Sequence, residues 1–377
     1  MNSLKKHWII NRCPLGGGST SNFLRLLWQN KFRVHIKYWP RLWYAFTLTL
    51  VTAPLRFVER LRFNRKVNNY KLSEDPIFIL GHWRSGTTLM HYLFTQDKTK
   101  GLVSNIEVYA PHFFLAFPNF TRKLIIASLP ETRPMDLIKI NADLPGEEEH
   151  SLGAYDKYGF FHSMIFPRNF KTYASYKSFD DAKPKDLVRW KKRYEFFIKK
   201  VAYKNKEKRL VLKNPANTYR MEYLQEMYPN AKFIHLYRNP YEVCASSVKF
   251  HNDTCEVFSL QTWDMEELTN NVIGLYKELY EKIDDDMKTI PKENIVHIRY
   301  EDFIKKPLVT MEKVYSDLKI KGFLDAKAGM QEYLEAEKDY SPAKYQFTNE
   351  FITKVNSECG FVLDRFDYKK LEPTGSS

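Results

Sequence analysis

The spacing of apolar positions changes character near residue 73. Before it, apolar residues recur three and four apart among basic and aromatic ones, as in "SNFLRLLWQNKFRVHIKYWPRLW" (21–43), which predicts helices. Ser73, Asp75 and Pro76 punctuate the change. After them come short uninterrupted apolar runs, each followed by a turn or a helical period. The runs begin at 77–80, in "KRLVLKNP" (208–215), at 233–237 and in "NIVHIRYEDF" (294–303); from Pro240 onward the pattern is helical. Between the first two runs, residues 183–204 place Leu187, Trp190, Tyr194, Phe197 and Val201 on one helical face, with a Lys/Arg face opposite that reads as solvated. Short buried strands alternating with helices predict an α/β fold, a parallel sheet flanked by helices. The domain reading is a basic, aromatic helical extension over 1–72 and one α/β domain over 73–377.

Composition agrees with a folded chain: 377 residues, 44% hydrophobic, 15% aromatic, with only 14 Gly and 18 Pro. Charge narrows the partners. The 59 Lys+Arg against 45 Asp+Glu give a formal +14, suited to a polyanionic ligand, an acidic membrane surface or nucleic acid. No nucleic-acid-binding motif is present, so nucleic acid is not expected as a partner. Cys13, Cys244, Cys255 and Cys359 have neither zinc-site spacing nor the density of a secreted disulfide framework, which predicts a reducing cytoplasm and no metal. The start has positive charge but no apolar run followed by a cleavage site. The uncharged stretch 42–55 is shorter than the roughly 20 residues that span a bilayer. Flanked by arginines and rich in Trp and Tyr, residues 38–63 are a candidate peripheral contact with the inner membrane surface, or a lining for a greasy substrate.

The candidate chemistry starts in "FILGHWRSGTTLMHYL" (78–93). Gly81 and Gly86 have the separation of a G-x-x-x-x-G-K-[ST] phosphate loop, yet Thr87 stands at the lysine position and Arg84 lies two residues before Gly86. A strand-to-helix loop offers backbone N–H groups and a positive dipole end to an anion. Arg84, Ser85, Thr87 and Thr88 add a guanidinium and three hydroxyls, which suits one terminal anion without an obligate metal. The missing Gly-Lys-Ser/Thr speaks against a P-loop kinase, and a non-catalytic basic module is the third reading. A second signal is "LYRNPYEVCASS" (236–247), where Arg238 closes a strand and Ser246 follows on the next helix. An arginine fork and a hydroxyl suit a terminal phosphate.

Together these segments resemble the sulfotransferases that use 3′-phosphoadenosine 5′-phosphosulfate (PAPS), nearer the bacterial and protein-tyrosine type than the cytosolic aryl and steroid type, over about 74–320. The resemblance implies a P-loop-like sulfotransferase fold and PAPS as co-substrate. It places Arg84, Ser85, Gly86, Thr87 and Thr88 on the 5′-phosphosulfate, Arg238 and Ser246 on the 3′-phosphate, and Lys213 beside the sulfuryl group. Tyr300, in a later segment resembling the family's, would be an adenine-side contact, and Lys344 in "YSPAKYQFTNEF" (340–351) would reach the cofactor phosphates. The cytosolic enzymes' catalytic His would fall at Pro215, so that mechanism does not transfer. The base is then a glutamate: Glu107 in "NIEVYAPHF" by resemblance to the protein-tyrosine type, or Glu147 or Glu149 in "NADLPGEEEHSL". The aromatic segments 38–63, 111–117 and 158–166 point to a hydrophobic alcohol such as a sterol or lipid as acceptor, with carbohydrate or peptidyl tyrosine as the alternative.

Overall fold

The computed structural model describes residues 13–130, 132, 140–180, 182–338 and 345–373; Lys344 lies outside them. In chain order the principal elements are α1 (Thr20–Gln29), α2 (Trp39–Val51), α3 (Ala53–Asn68), β1 (Ile77–Leu80), α4 (Thr87–Phe94), β2 (Lys100–Leu102), α5 (Asn105–Tyr109), α6 (Pro118–Ser128), α7 (Glu148–Tyr155), α8 (Pro184–Asn205), β3 (Arg209–Lys213), β4 (Lys232–Tyr237), α9 (Pro240–Phe258), α10 (Met265–Lys288), β5 (Ile295–Arg299) and α11 (Asn349–Arg365). The sheet has five strands in the order β2-β3-β1-β4-β5. β4 pairs in parallel with β1 and with β5, Ile79 opposite Ile234 and Ile234 opposite Val296. Three of the short apolar runs, β1, β3 and β4, are strands buried on both faces, while β5 at the sheet edge is only partly buried, with His297 exposed. Ile77, Phe78, Ile79 and Leu80 are wholly inaccessible, each stabilising the fold by roughly 1.5–3 kcal/mol through burial. The expected strand at 294–303 ends at Arg299, and Tyr300 opens a helix instead. β2, whose three residues "KGL" include a lysine and a glycine, has no apolar run to announce it.

The chain divides into two compact units. One comprises residues 75–100, 213–249 and 266–377; the other comprises 1–74, 101–212 and 250–265. The first holds β1, β4 and β5 with α4 and α11. In the second, α8 buries Trp190, Tyr194, Phe197 and Val201 as its spacing predicts, and Trp190 packs against Tyr194 and Phe179 at ring separations of 5.0 and 5.3 Å.

The N-terminal helical pattern is interrupted after α1. Asn30 turns its amide back onto the Leu26 carbonyl, and Lys31 and Phe32 both take positive φ. α2 then carries its residues the unusual way round. It buries Arg41, Ala45 and Thr49, with the Arg41 guanidinium donating to the carbonyls of Ser259 and Glu256. Trp39, Trp43 and Leu50 face outward, Trp43 with 57% of its surface exposed. Among the described residues no helix is long and apolar enough to cross a membrane.

Candidate functional site

The loop that follows β1 is shaped by two glycines. Gly81 has φ +140°, and a Cβ there would lie 2.5 Å from the Leu236 carbonyl oxygen. Gly86, at φ +95°, caps α4, and a Cβ there would fall 2.3 Å from the Tyr300 ring. Only glycine meets both requirements. Thr218 pins the entrance: its Oγ1 accepts from the Gly81 N–H at 2.8 Å and donates to the Gly81 carbonyl at 3.2 Å. Ser85 closes the turn through hydroxyl and amide bonds to the His82 carbonyl, 2.8 and 3.2 Å long. Arg84 holds φ +72° without being glycine, a conformation costing on the order of 1–3 kcal/mol that its surroundings must enforce.

Those surroundings are the second motif. Arg84 Nε donates to Ser246 Oγ at 2.9 Å across 162 positions of sequence, and Arg238 Nη1 donates to the Arg84 carbonyl at 3.3 Å. The Arg238 guanidinium lies over the Tyr300 ring, 4.3 Å from its centroid, and Tyr345 donates to Ser246 at 3.0 Å. Arg84, Gly86, Arg238, Ser246 and Tyr300 therefore form one cluster of two guanidiniums, hydroxyls and a ring beside a helix N-terminus. Such a cluster has the chemistry to suit a multiply charged anion carrying a planar group. Glu242 stands 3.5 Å from Arg238. Burial raises its pKa, opposed by Arg238 and reinforced by Glu301. Thr87 is buried in the first turn of α4, and Lys213, also buried, ends β3.

A model of the sulfotransferase family matches residues 76–325. The chain belongs to the sulfotransferase family. It is 30% identical over 358 residues, covering 95% of this chain and 92% of the relative, to the omega-hydroxy-beta-dihydromenaquinone-9 sulfotransferase Stf3 of Mycobacterium bovis, and equally to that of Mycobacterium tuberculosis. Among solved structures, sulfotransferase STF9 from Mycobacterium avium aligns with a TM-score of 0.63 at 17% identity over 95% of this chain and 98% of that one. STF1 from Mycobacterium tuberculosis gives 0.59 at 16% identity over 82% and 86%. At those identities the two structures speak for the fold, the expected parallel α/β sulfotransferase fold. This sulfotransferase is thus an enzyme, and its family implies PAPS as the sulfate donor.

The sulfotransferase's candidate bases lie in the other unit, on two segments that the fold zips together. Ser104 bridges to Pro145, the Asn105 N–H donates to the Leu144 carbonyl at 3.0 Å, and the Gly146 N–H to the Val103 carbonyl at 2.8 Å. Glu107 is fully buried in α5. One of its oxygens completes a capping box with Ser104, whose N–H reaches it at 2.5 Å, and the other pairs with Lys204. Glu149 is fully buried as well and accepts from the Phe160 N–H at 2.7 Å; Glu148 accepts from the Tyr194 hydroxyl at 3.0 Å. Glu147, at the N-cap of α7, is half-buried.

Sequence reasoning did not single out Thr218 or Tyr345. Tyr345 lies in the quoted stretch 340–351 and Thr218 just past 208–215, but neither hydroxyl has a local pattern to betray its partner. Of the aromatic segments read as acceptor lining, 158–166 is core: Phe160, Phe161, Met164, Ile165 and Phe166 are all buried.

Proposed function

We propose that this sulfotransferase transfers the sulfuryl group of PAPS to the hydroxyl of a hydrophobic, lipid-like alcohol. The observation that carries the acceptor is an apolar cavity of about 140 Å³ lined by Leu48, Tyr109, Phe113, Ile125 and Phe258, among others. Tyr109 is the last residue of the helix bearing Glu107, and its ring lies 5.9 Å from that of His150, which follows the Glu147–Glu149 cluster. The name of the Stf3 relatives, which refers to a hydroxylated menaquinone, supports the same class of acceptor.

In this reading Arg84, Ser85, Gly86, Thr87 and Thr88 hold the 5′-phosphosulfate, Arg238 and Ser246 the 3′-phosphate, and Tyr300 lies against the nucleotide. The acceptor oxygen attacks sulfur in line, the bond from sulfur to the 5′-phosphate oxygen breaks, and 3′,5′-adenosine bisphosphate leaves with its new charge met by Arg84 and Lys213. A carboxylate takes the acceptor proton. Glu147 is the favoured base, because Glu107 and Glu149 are fully buried, each accepting a backbone N–H, while Glu147 is only partly buried. With Arg84, Arg238, Lys213 and the N-terminus of α4 to meet the donor's charge, this reading gives a metal no role. Residues 73–377 are the transferase domain, and 38–63 make a peripheral membrane contact: Trp39, Trp43 and Leu50 face outward on α2, and Arg60 and Arg62 are exposed on α3.

Calorimetric titration with 3′,5′-adenosine bisphosphate, ADP and AMP without magnesium tests the donor. A strong preference for the bisphosphate is expected, and equal affinities would overturn the clamp. Sulfur-labelled PAPS tests the acceptor. Label should enter organic-extractable alcohols, and transfer to glycan or protein tyrosine instead would replace the lipid reading.

A further inference from the structure

The Lys/Arg face of α8, which the sequence presents as an ordinary solvated surface, lines a cavity. With residues of α1 and α3 it bounds a space of about 640 Å³, within the size range of small-molecule sites. α3 contributes Arg56, Arg60, Asn64 and Asn68, four apart along one face. α8 contributes Arg189, Lys192, Arg193 and Lys200, and α1 contributes Arg25. Two carboxylates answer these seven cations. Asp156 is shared by Arg25 at 2.9 Å, Arg189 at 2.6 Å and Arg193 at 3.8 Å, and Glu59 pairs with Lys200. Arg56 spends its donors on the Thr52 hydroxyl and the Thr49 carbonyl. Arg60 and Lys192 make no ion pair with the described residues.

The surplus is felt inside the cavity. His112, which lines it, is driven down to about 3, first by burial and then by the charges of Lys200, Arg56 and Arg193. Like charges converging on one concave space repel each other, and a multiply charged anion relieves that repulsion at several points at once. Tyr155, Asn64, Asn68 and Ser21 add neutral hydrogen-bonding groups around the wall. The rim is apolar on one side: Phe57, a lining residue, is 63% exposed, and Leu61, one turn on, 68%.

From this convergence we infer that the cavity of α1, α3 and α8 is a second anion site, separate from the donor clamp, that binds a phosphate or diphosphate group. The group belongs either to an anionic lipid headgroup or to a free phosphorylated metabolite. The inference stands independently of the PAPS reading, since it uses none of the donor residues.

The test is calorimetric titration with inorganic pyrophosphate of wild type, Arg60→Ala/Lys192→Ala, Arg238→Ala, and a charge-matched control, Lys292→Ala/Lys305→Ala. Both residues of the pocket variant are exposed and without ion pairs among the described residues, so the fold should tolerate their loss. The pocket component of pyrophosphate binding should weaken at least tenfold in the pocket variant, persist in Arg238→Ala, and stay within twofold in the control. Flotation with phosphatidylcholine vesicles, with and without phosphatidylglycerol, then names the source. If anionic-vesicle binding falls in the pocket variant, the ligand is a headgroup; if it is unchanged while pyrophosphate binding is lost, the ligand is a soluble phosphate. Undiminished pyrophosphate binding in the pocket variant, or an equal loss in the charge-matched control, would overturn the site.

Discussion

The unit that carries the donor clamp and the unit that carries the candidate base solve different physical problems. In the first, the proposed donor site is built on a tightly shaped main chain: two glycines at positive φ, a helix N-terminus, and a turn locked by Ser85 and Thr218. Side chains from distant segments then brace that main chain, with Arg84 on Ser246 and Arg238 on the Arg84 carbonyl. In the second unit the candidate chemistry rests on side chains of several helices, and its carboxylates double as structural groups. A main-chain clamp fits an invariant anion, and its parts are hard to exchange. A helix-borne wall can change its lining one residue at a time. The same enzyme can thus keep one donor while its acceptor diverges.

The sharpest way to break this comparison is to separate chemistry from donor binding. Glu147→Gln should lower kcat by about 10²- to 10⁴-fold, the usual range for losing a general base, with affinity for 3′,5′-adenosine bisphosphate unchanged. Transfer at wild-type rate would remove Glu147 as base and return Glu107 and Glu149 to first place. Next in size is Arg238→Ala. Losing a charge-assisted contact costs about 1.5–3 kcal/mol, so the bisphosphate should bind about 10- to 150-fold more weakly while AMP, which lacks the 3′-phosphate, is little affected. An equal loss for both nucleotides would place Arg238 elsewhere on the ligand.

The contrast also explains how much could be read in advance. A main-chain clamp needs its glycines, hydroxyls and strand-to-helix transition in consecutive positions, so residues 81–88 were legible as an anion loop. β1, β3 and β4 were legible because burial on both faces forces apolar runs. What closes the clamp was not: the meeting of Arg84 with Ser246, Thr218 with Gly81 and Tyr345 with Ser246 depends on how distant segments fold back. The base candidates stayed open for the same kind of reason. Nothing in "NIEVYAPHF" or "NADLPGEEEHSL" announces that Ser104 and Pro145 bridge, or that Lys204 on α8 will pair with Glu107. The Lys/Arg face of α8 has a helical period that is silent about whether water or a cavity lies opposite.

Gly86→Ala sharpens the donor side at a smaller scale. The added methyl would meet the Tyr300 ring at 2.3 Å on a backbone held at φ +95°, so either the loop or the ring must move. Strain of about 1–3 kcal/mol is expected, read as a lower Tm together with weaker bisphosphate binding, because the ring displaced is the one beneath Arg238. A variant that loses stability but keeps full bisphosphate affinity would separate Tyr300 from the donor site.

The smallest effect belongs to the other unit and tests whether Glu107 is scaffold. Ser104 caps α5 through the Ile106 N–H at 3.3 Å, while Glu107 returns a bond to the Ser104 N–H. Ser104→Ala removes the hydroxyl half of this box and should cost about 1 kcal/mol, a fall of a few degrees in Tm. Because the Ser104–Pro145 bridge and the Lys204 pair remain, kcat should stay within about twofold. If kcat instead drops tenfold or more at temperatures where the variant is fully folded, the orientation of Glu107 matters to the reaction itself. The second unit would then hold its base where the sequence resemblance first put it, in the capping box rather than at the N-cap of α7.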